Sequence, residues 1–188
     1  MIDLLLDRST HDASNILRRL RDSTREQHRT LDTALSRYDL SERKDYEVFL
    51  RIHWCALTEL RSQWRNQDDA EFTRLLSMLE NDLGCNSAAP NDSRSGCARE
   101  RPPAEAVGVS YVIRGSRLGA ALLRRRVRGN FPADYLSAQL VLPWRGFLEE
   151  LEAYALSARP TEINEVIFGA RTAFGVYSRT VQEQAAND

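Results

Sequence analysis

Apolar side chains along this chain recur every three or four residues, in long stretches separated by clusters of glycine, proline and small polar residues. That spacing puts them on one face of an α-helix. The first stretch, capped by Ser14, carries Leu17, Leu20, Thr24, His28, Leu31 and Leu35. A second starts at Ser41 and runs to about Trp64, with Tyr46, Phe49, Leu50, His53, Leu57 and Leu60 on one side. A third spans about Asp69 to Leu83 and carries Phe72, Leu75, Leu76 and Leu79. From Gly84 to Arg101 almost no apolar residue occurs, which reads as a long exposed loop without a core face of its own. Pro102 and Pro103 then set the entry to a fourth helix, Ala104 to about Val127, because proline suits the first helical position. Gly129 to Pro132 breaks the pattern. Helices follow from about Leu142 to Ser157, with Trp144, Phe147, Leu148, Leu151 and Tyr154, and from Pro160 and Thr161 onward, with Ile163, Val166, Ile167, Ala170, Phe174 and Val181. No segment of useful length alternates with strand period, so the pattern predicts an all-α, multi-helical bundle.

At 188 residues, with 42% hydrophobic and 28% charged positions, the chain suits one domain around one core. Residues 1–13 read as a polar tail and 14–188 as the helical domain, with 84–101 as its exposed loop. The formal net charge of -1 provides no global field toward nucleic acid or acidic lipid. The apolar run Met1–Leu6 is interrupted by Asp3, lacks a basic flank and is too short for a secretory or membrane segment. Cys55, Cys85 and Cys97 match no zinc or redox spacing, and a reducing cytoplasm is the simplest location.

Candidate chemistry first arises in Leu20-Arg21-Asp22-Ser23-Thr24-Arg25-Glu26-Gln27-His28. Residues seven apart on a helix nearly eclipse, and residues three or four apart are neighbours, so Arg21, Arg25 and His28 share a stripe. A histidine with two cations one and two turns before it suits a flat ligand, apolar in the middle and anionic at one edge. Haem is such a ligand, with imidazole on its iron and guanidinium groups on its propionates. The plainer reading is a hydrogen-bonded core histidine beside solvated arginines.

The segment Tyr111-Val112-Ile113-Arg114-Gly115-Ser116-Arg117-Leu118-Gly119-Ala120 places two glycines four apart inside a helix, each at about 1 kcal/mol relative to alanine. They bare the backbone on one face, either to a flat body or to another helix. Tyr111 lies one turn earlier on that face.

These segments together resemble the heme oxygenase family, in particular its bacterial biliverdin-forming branch, whose members often accompany bacteriophytochromes. The likeness runs through Leu20-Arg21, Thr24-Arg25, His28 and Leu31-Asp32, then Tyr46, Phe49-Leu50, His53 and Ala56-Leu57. It continues through Tyr111-Val112, Gly115-Ser116 and Leu118-Gly119, and less specifically through Phe147–Leu151 and Ala170–Phe174. The resemblance implies haem sandwiched between a proximal and a distal helix, serving as both cofactor and substrate. Haem would be cleaved at a meso carbon to biliverdin, CO and free iron, with O2 and electrons from a ferredoxin or a flavoprotein reductase. It implies His28 as the iron ligand and Arg21, Arg25 and Tyr111 at the propionates. Gly115, Ser116 and Gly119 would form the distal catalytic wall, with Ala120 at the haem edge. Arg171 would hold the second propionate, a role for which Arg179 competes.

The chain departs from that pattern at four places. Ala120 stands where a second glycine usually follows, Arg114 replaces an acidic residue, Val109-Ser110 replaces a smaller, more apolar pair, and the late tryptophan is absent, with Tyr177 nearby. A haem carrier or sensor of the same fold, and a haem-free helical interaction protein, are the alternative functions. His53 is expected to be a core histidine and Cys55 a small buried hydrophobe. Arg124-Arg125-Arg126 with Arg128 reads as a solvated helix end or as a docking patch for an acidic electron donor.

Overall fold

The computed structural model describes residues 3–64, 69–84, 103–128 and 130–186. Among these, seven helices and no strand are present: α1 (Asp3–Leu35), α2 (Arg43–Gln63), α3 (Asp69–Leu83), α4 (Pro103–Arg124), α5 (Asp134–Ser137), α6 (Trp144–Ser157) and α7 (Pro160–Ala185). Helix α1 begins at Asp3 rather than at Ser14, so the segment expected as a tail continues the first helix. No glycine or proline lies between Asp3 and Leu35 to stop it. Helix α2 is preceded by Glu42 rather than capped by Ser41, whose amide and hydroxyl both turn back to Asp39 Oδ1. Gly84, with φ 65°, ends α3 in a conformation that favours glycine. The loop expected over 84–101 otherwise lies outside the described residues, as do Cys85 and Cys97.

Helix α7 is the central strut and packs against α4, α1 and α2. Its buried Val166, Ala170 and Ala173 meet a core built from Phe49, Leu50, Leu57 and Leu60 of α2 and from Val109 and Val112 of α4. Helices α4 and α7 approach backbone to backbone. A Cβ on Gly108 would lie 1.9 Å from the Val166 carbonyl oxygen, and one on Gly169 would lie 2.0 Å from that of Glu105. These two glycines make the close helix crossing.

The short α5 was not expected from the sequence pattern, and its cap comes from another element. Asp82 of α3 accepts from the Asp134 and Tyr135 amides, both at 2.9 Å, and satisfies the first free N–H groups of α5. Burial raises the pKa of the Asp82 carboxyl, against the lowering effect of those two amides. Helix α1 runs alongside α7 in the same direction. Arg19 donates to Asn164 Oδ1 and Gln27 donates to the Arg171 carbonyl, so residues further along α1 meet residues further along α7.

Candidate haem-binding face

The buried side of α1 is formed by Ile16, Leu20, Thr24 and Leu31, with the Thr24 hydroxyl bonded back to the Leu20 carbonyl. His28 lies at the margin of that side rather than within it. Its side chain is 62% exposed, and its ring stands edge-on to Phe174 of α7 at 5.8 Å. His28 Nδ1 lies 3.0 Å from Asp32 Oδ2, one turn on. That contact fixes Nδ1 as the donor and leaves Nε2 as the nitrogen available to a metal. Asp32 belongs to the motif but was not given a role by sequence reasoning; its position four residues after a histidine on the same stripe was the signal. Among the described residues, no three His, Cys, Asp or Glu side chains converge as a metal site. A metal held by His28 would therefore have to bring its other ligands with it.

The Arg21 guanidinium lies near enough to the Tyr111 hydroxyl to act on it electrostatically, which places the N-terminal end of the His28 stripe beside α4. Burial pushes the Tyr111 pKa up, and the Arg21 guanidinium opposes the shift. Tyr111 is thus held neutral beside a cation, as a hydroxyl able to donate to an anion. Arg25 is directed to Asp22, 2.7 Å away, on an exposed surface. The Arg171 side chain is exposed, and its backbone carbonyl accepts from Gln27, the residue before His28. Arg179 pairs with Glu59 of α2 and with Glu183, which removes it from competition with Arg171.

On α4, Tyr111, Gly115, Leu118, Gly119 and Leu122 fall on one stripe by helical spacing. Leu118 and Leu122 are 58% and 64% exposed. A Cβ on Gly119 would meet nothing within 4 Å, and one on Gly115 would meet only the edge of the Trp144 ring, at 3.7 Å. The helix-crossing reading of this glycine pair is therefore not the one realised, since Gly108 and Gly169 perform that task. The stripe is an apolar surface with bare backbone, as a flat ligand requires.

One residue of the motif, Ala120, faces the core, and Ser116 is exposed. Ala120 is 2% exposed within the core, so its methyl group is enclosed by protein rather than placed on the open stripe. The Ser116 hydroxyl bonds back to the Ile113 carbonyl at 2.7 Å. A separate groove of about 670 Å³, between the C-terminal parts of α1 and α7, is lined by Arg29, Leu31, Ala34, Arg37 and Val181 and contains none of the candidate residues.

No protein-family model and no curated protein sequence matches the chain. Among solved structures, it is similar to the NO- and CO-bound heme oxygenase from Neisseria meningitidis. The TM-score is 0.62, with 24% identity over 90% of this chain and 91% of that one. At that identity the likeness shows the fold, and the chain shares the all-α heme oxygenase fold.

Proposed function

We propose that the chain is a heme oxygenase of the bacterial, biliverdin-forming kind, binding haem between α1 and α4 in the cytoplasm. One observation carries this reading. The proximity of Arg21 to Tyr111 sets the cationic end of the His28 stripe beside the stripe of α4 that carries the open Gly119. The residues present fit the group: an oriented imidazole, a cation with a neutral phenol, and an apolar face where Gly119 leaves the backbone bare and Gly115 meets only a ring edge. Haem bound there would supply an iron centre for O2 and the meso carbon that is oxidised.

The protein's own residues supply the rest. His28, held by Asp32, offers Nε2 to the iron. Arg21 and Tyr111 offer charge-assisted and neutral hydrogen bonds to a propionate, and Arg171 is assigned to the other. Gly119 would allow close approach and Gly115 would bound it beside the Trp144 edge, while Leu118 and Leu122 would exclude water from the distal side. Electrons come from an external donor, a ferredoxin or a flavoprotein reductase, and the biliverdin formed would be available as a chromophore for a bacteriophytochrome.

Haemin titration of the purified chain tests the reading, followed by ascorbate in air with catalase present. A stoichiometric Soret band that gives way to biliverdin absorption is expected. A Soret band that persists would reassign the protein as a haem carrier or sensor, and absence of stoichiometric binding would overturn the site. His28→Ala should abolish the axial-ligand signature while leaving the thermal midpoint within about 2 °C, because the ring is largely exposed. An unchanged haem spectrum in that variant would remove His28 from its role.

A further inference from the structure

The open stripe of α4 is closed at one end. Trp144, the first residue of α6, meets Tyr111 at 5.7 Å between ring centroids, and its outer ring edge is the neighbour that a Cβ on Gly115 would meet at 3.7 Å. Gly119, one turn on, has open space in the same direction. A flat ligand on this stripe is therefore unobstructed toward Gly119 and Leu122, and meets an aromatic wall at Gly115.

That wall is held in place by a buried cation. Arg114, only 6% exposed, donates from Nη1 to the Leu142 carbonyl at 3.0 Å, two residues before Trp144. Its guanidinium also lies 5.6 Å over the Phe147 ring, and Phe147 stacks on Trp144 at 5.7 Å with 29° between planes. Arg114 thus grips the entry of α6 from both sides of the tryptophan. The guanidinium fork suits this task, with a planar face for the ring and an edge for the carbonyl.

Resting on the haem reading above, we infer that Trp144 is a specificity-determining wall and Arg114 its positioning residue. Together they set how far a tetrapyrrole slides toward the Arg21–Tyr111 end and how it is rotated in its plane. The in-plane seating decides which meso carbon lies beside Gly119, and therefore which biliverdin isomer is formed. The arginine that departs from the family motif at position 114 has this structural use.

The test uses the full chain loaded with haemin as its low-spin ferric cyanide complex. The haem methyl resonances in proton NMR report the in-plane seating without turnover. Trp144→Phe keeps an aromatic ring against Phe147 while withdrawing the indole edge from Gly115, and Trp144→Ala removes the wall. Both are expected to give a second set of methyl resonances, with haem affinity lowered by no more than about tenfold, the scale of one aromatic contact. Arg114→Leu should shift the same resonances to a smaller extent. Under ascorbate, the biliverdin isomers from the Trp144 variants should redistribute relative to the parent protein. A wild-type methyl pattern in folded, haem-loaded Trp144→Phe would overturn the inference and leave the haem site standing. Failure of the unsubstituted protein to bind haem would overturn the site itself.

Discussion

His53 and His28 sit on helices of similar pattern, and their surroundings give them opposite chemistry. His53 is enclosed by Phe49, Tyr135 and Tyr177, with ring centroids 4.5, 5.2 and 5.4 Å away, and Nδ1 lies 3.0 Å from the Tyr135 hydroxyl. Burial, assisted by the Arg117 guanidinium, pushes its pKa down to about 3 from an ordinary 6.5. The folded protein therefore holds the ring neutral where the unfolded chain would protonate it. Between those two values the unfolded state binds more protons, so stability is full above pH 6.5 and is lost as pH falls toward 3. The expected slope approaches 1.4 kcal/mol per pH unit. Urea unfolding at a series of pH values from 7.5 to about 5 reads it, and His53→Gln should flatten the profile. A wild-type slope retained in that variant would assign the dependence to other groups. Sequence reasoning had expected His53 as a core residue, because its neighbours on the α2 stripe are uniformly apolar. It did not anticipate the exposure of His28 or the part played by Asp32, since a helix pattern locates a face and not the margin where that face meets solvent.

At the level of elements, four glycines of similar appearance in the sequence divide into two classes. Gly108 and Gly169 are required by the α4–α7 crossing, whereas Gly115 and Gly119 are not required by any helix contact. Gly119→Ala should therefore stabilise the haem-free protein by about 0.5–1 kcal/mol, through helix propensity alone. Gly108→Ala should destabilise it by about 1–3 kcal/mol or more, because its methyl group would be driven into a backbone carbonyl that cannot move independently. Thermal unfolding of both variants gives the comparison, and equal destabilisation would mean that Gly119 also serves packing. This division was not legible in the sequence, because it depends on which partner helix arrives. The end of α3 and the starts of α4 and α7 were legible, since Gly84, Pro103 and Pro160 act locally as stops and starts, whereas α4 ends at Arg124 rather than near Val127. The start of α1 had no such punctuation, and α5 owes its cap to Asp82 of a distant element. The burial of Arg114 and Ala120 was hidden for the same reason, since neither residue type by itself identifies the neighbour that covers it.

Over the whole molecule the charges nearly cancel, yet they are unevenly placed. Arg124, Arg125, Arg126 and Arg128 are all exposed at the end of α4, and none makes an ion pair within 4.0 Å among the described residues. Some of this charge serves the C-terminal end of the helix dipole. Beyond that, at a Debye length of about 8 Å in physiological salt, a local patch governs encounter more than net charge does. The patch also lies close to the proposed site, since five residues of helix take the chain from Gly119 to Arg124 at the end of α4, a rise of about 7.5 Å. An acidic one-electron carrier docking here would be brought near the proposed haem face without covering the α4 stripe itself. With a plant-type ferredoxin as the probe, Arg125→Glu combined with Arg126→Glu should lower the association rate by about 10- to 100-fold at low ionic strength and flatten its salt dependence. Haemin titration should be unaffected, which separates donor docking from the haem site. Cytochrome c, a basic carrier, should bind the charge-reversed variant better than the parent. If ferredoxin association is the same for both proteins at low salt, the arginines serve the helix end alone, and the donor must approach from the α1 side, where His28 is exposed.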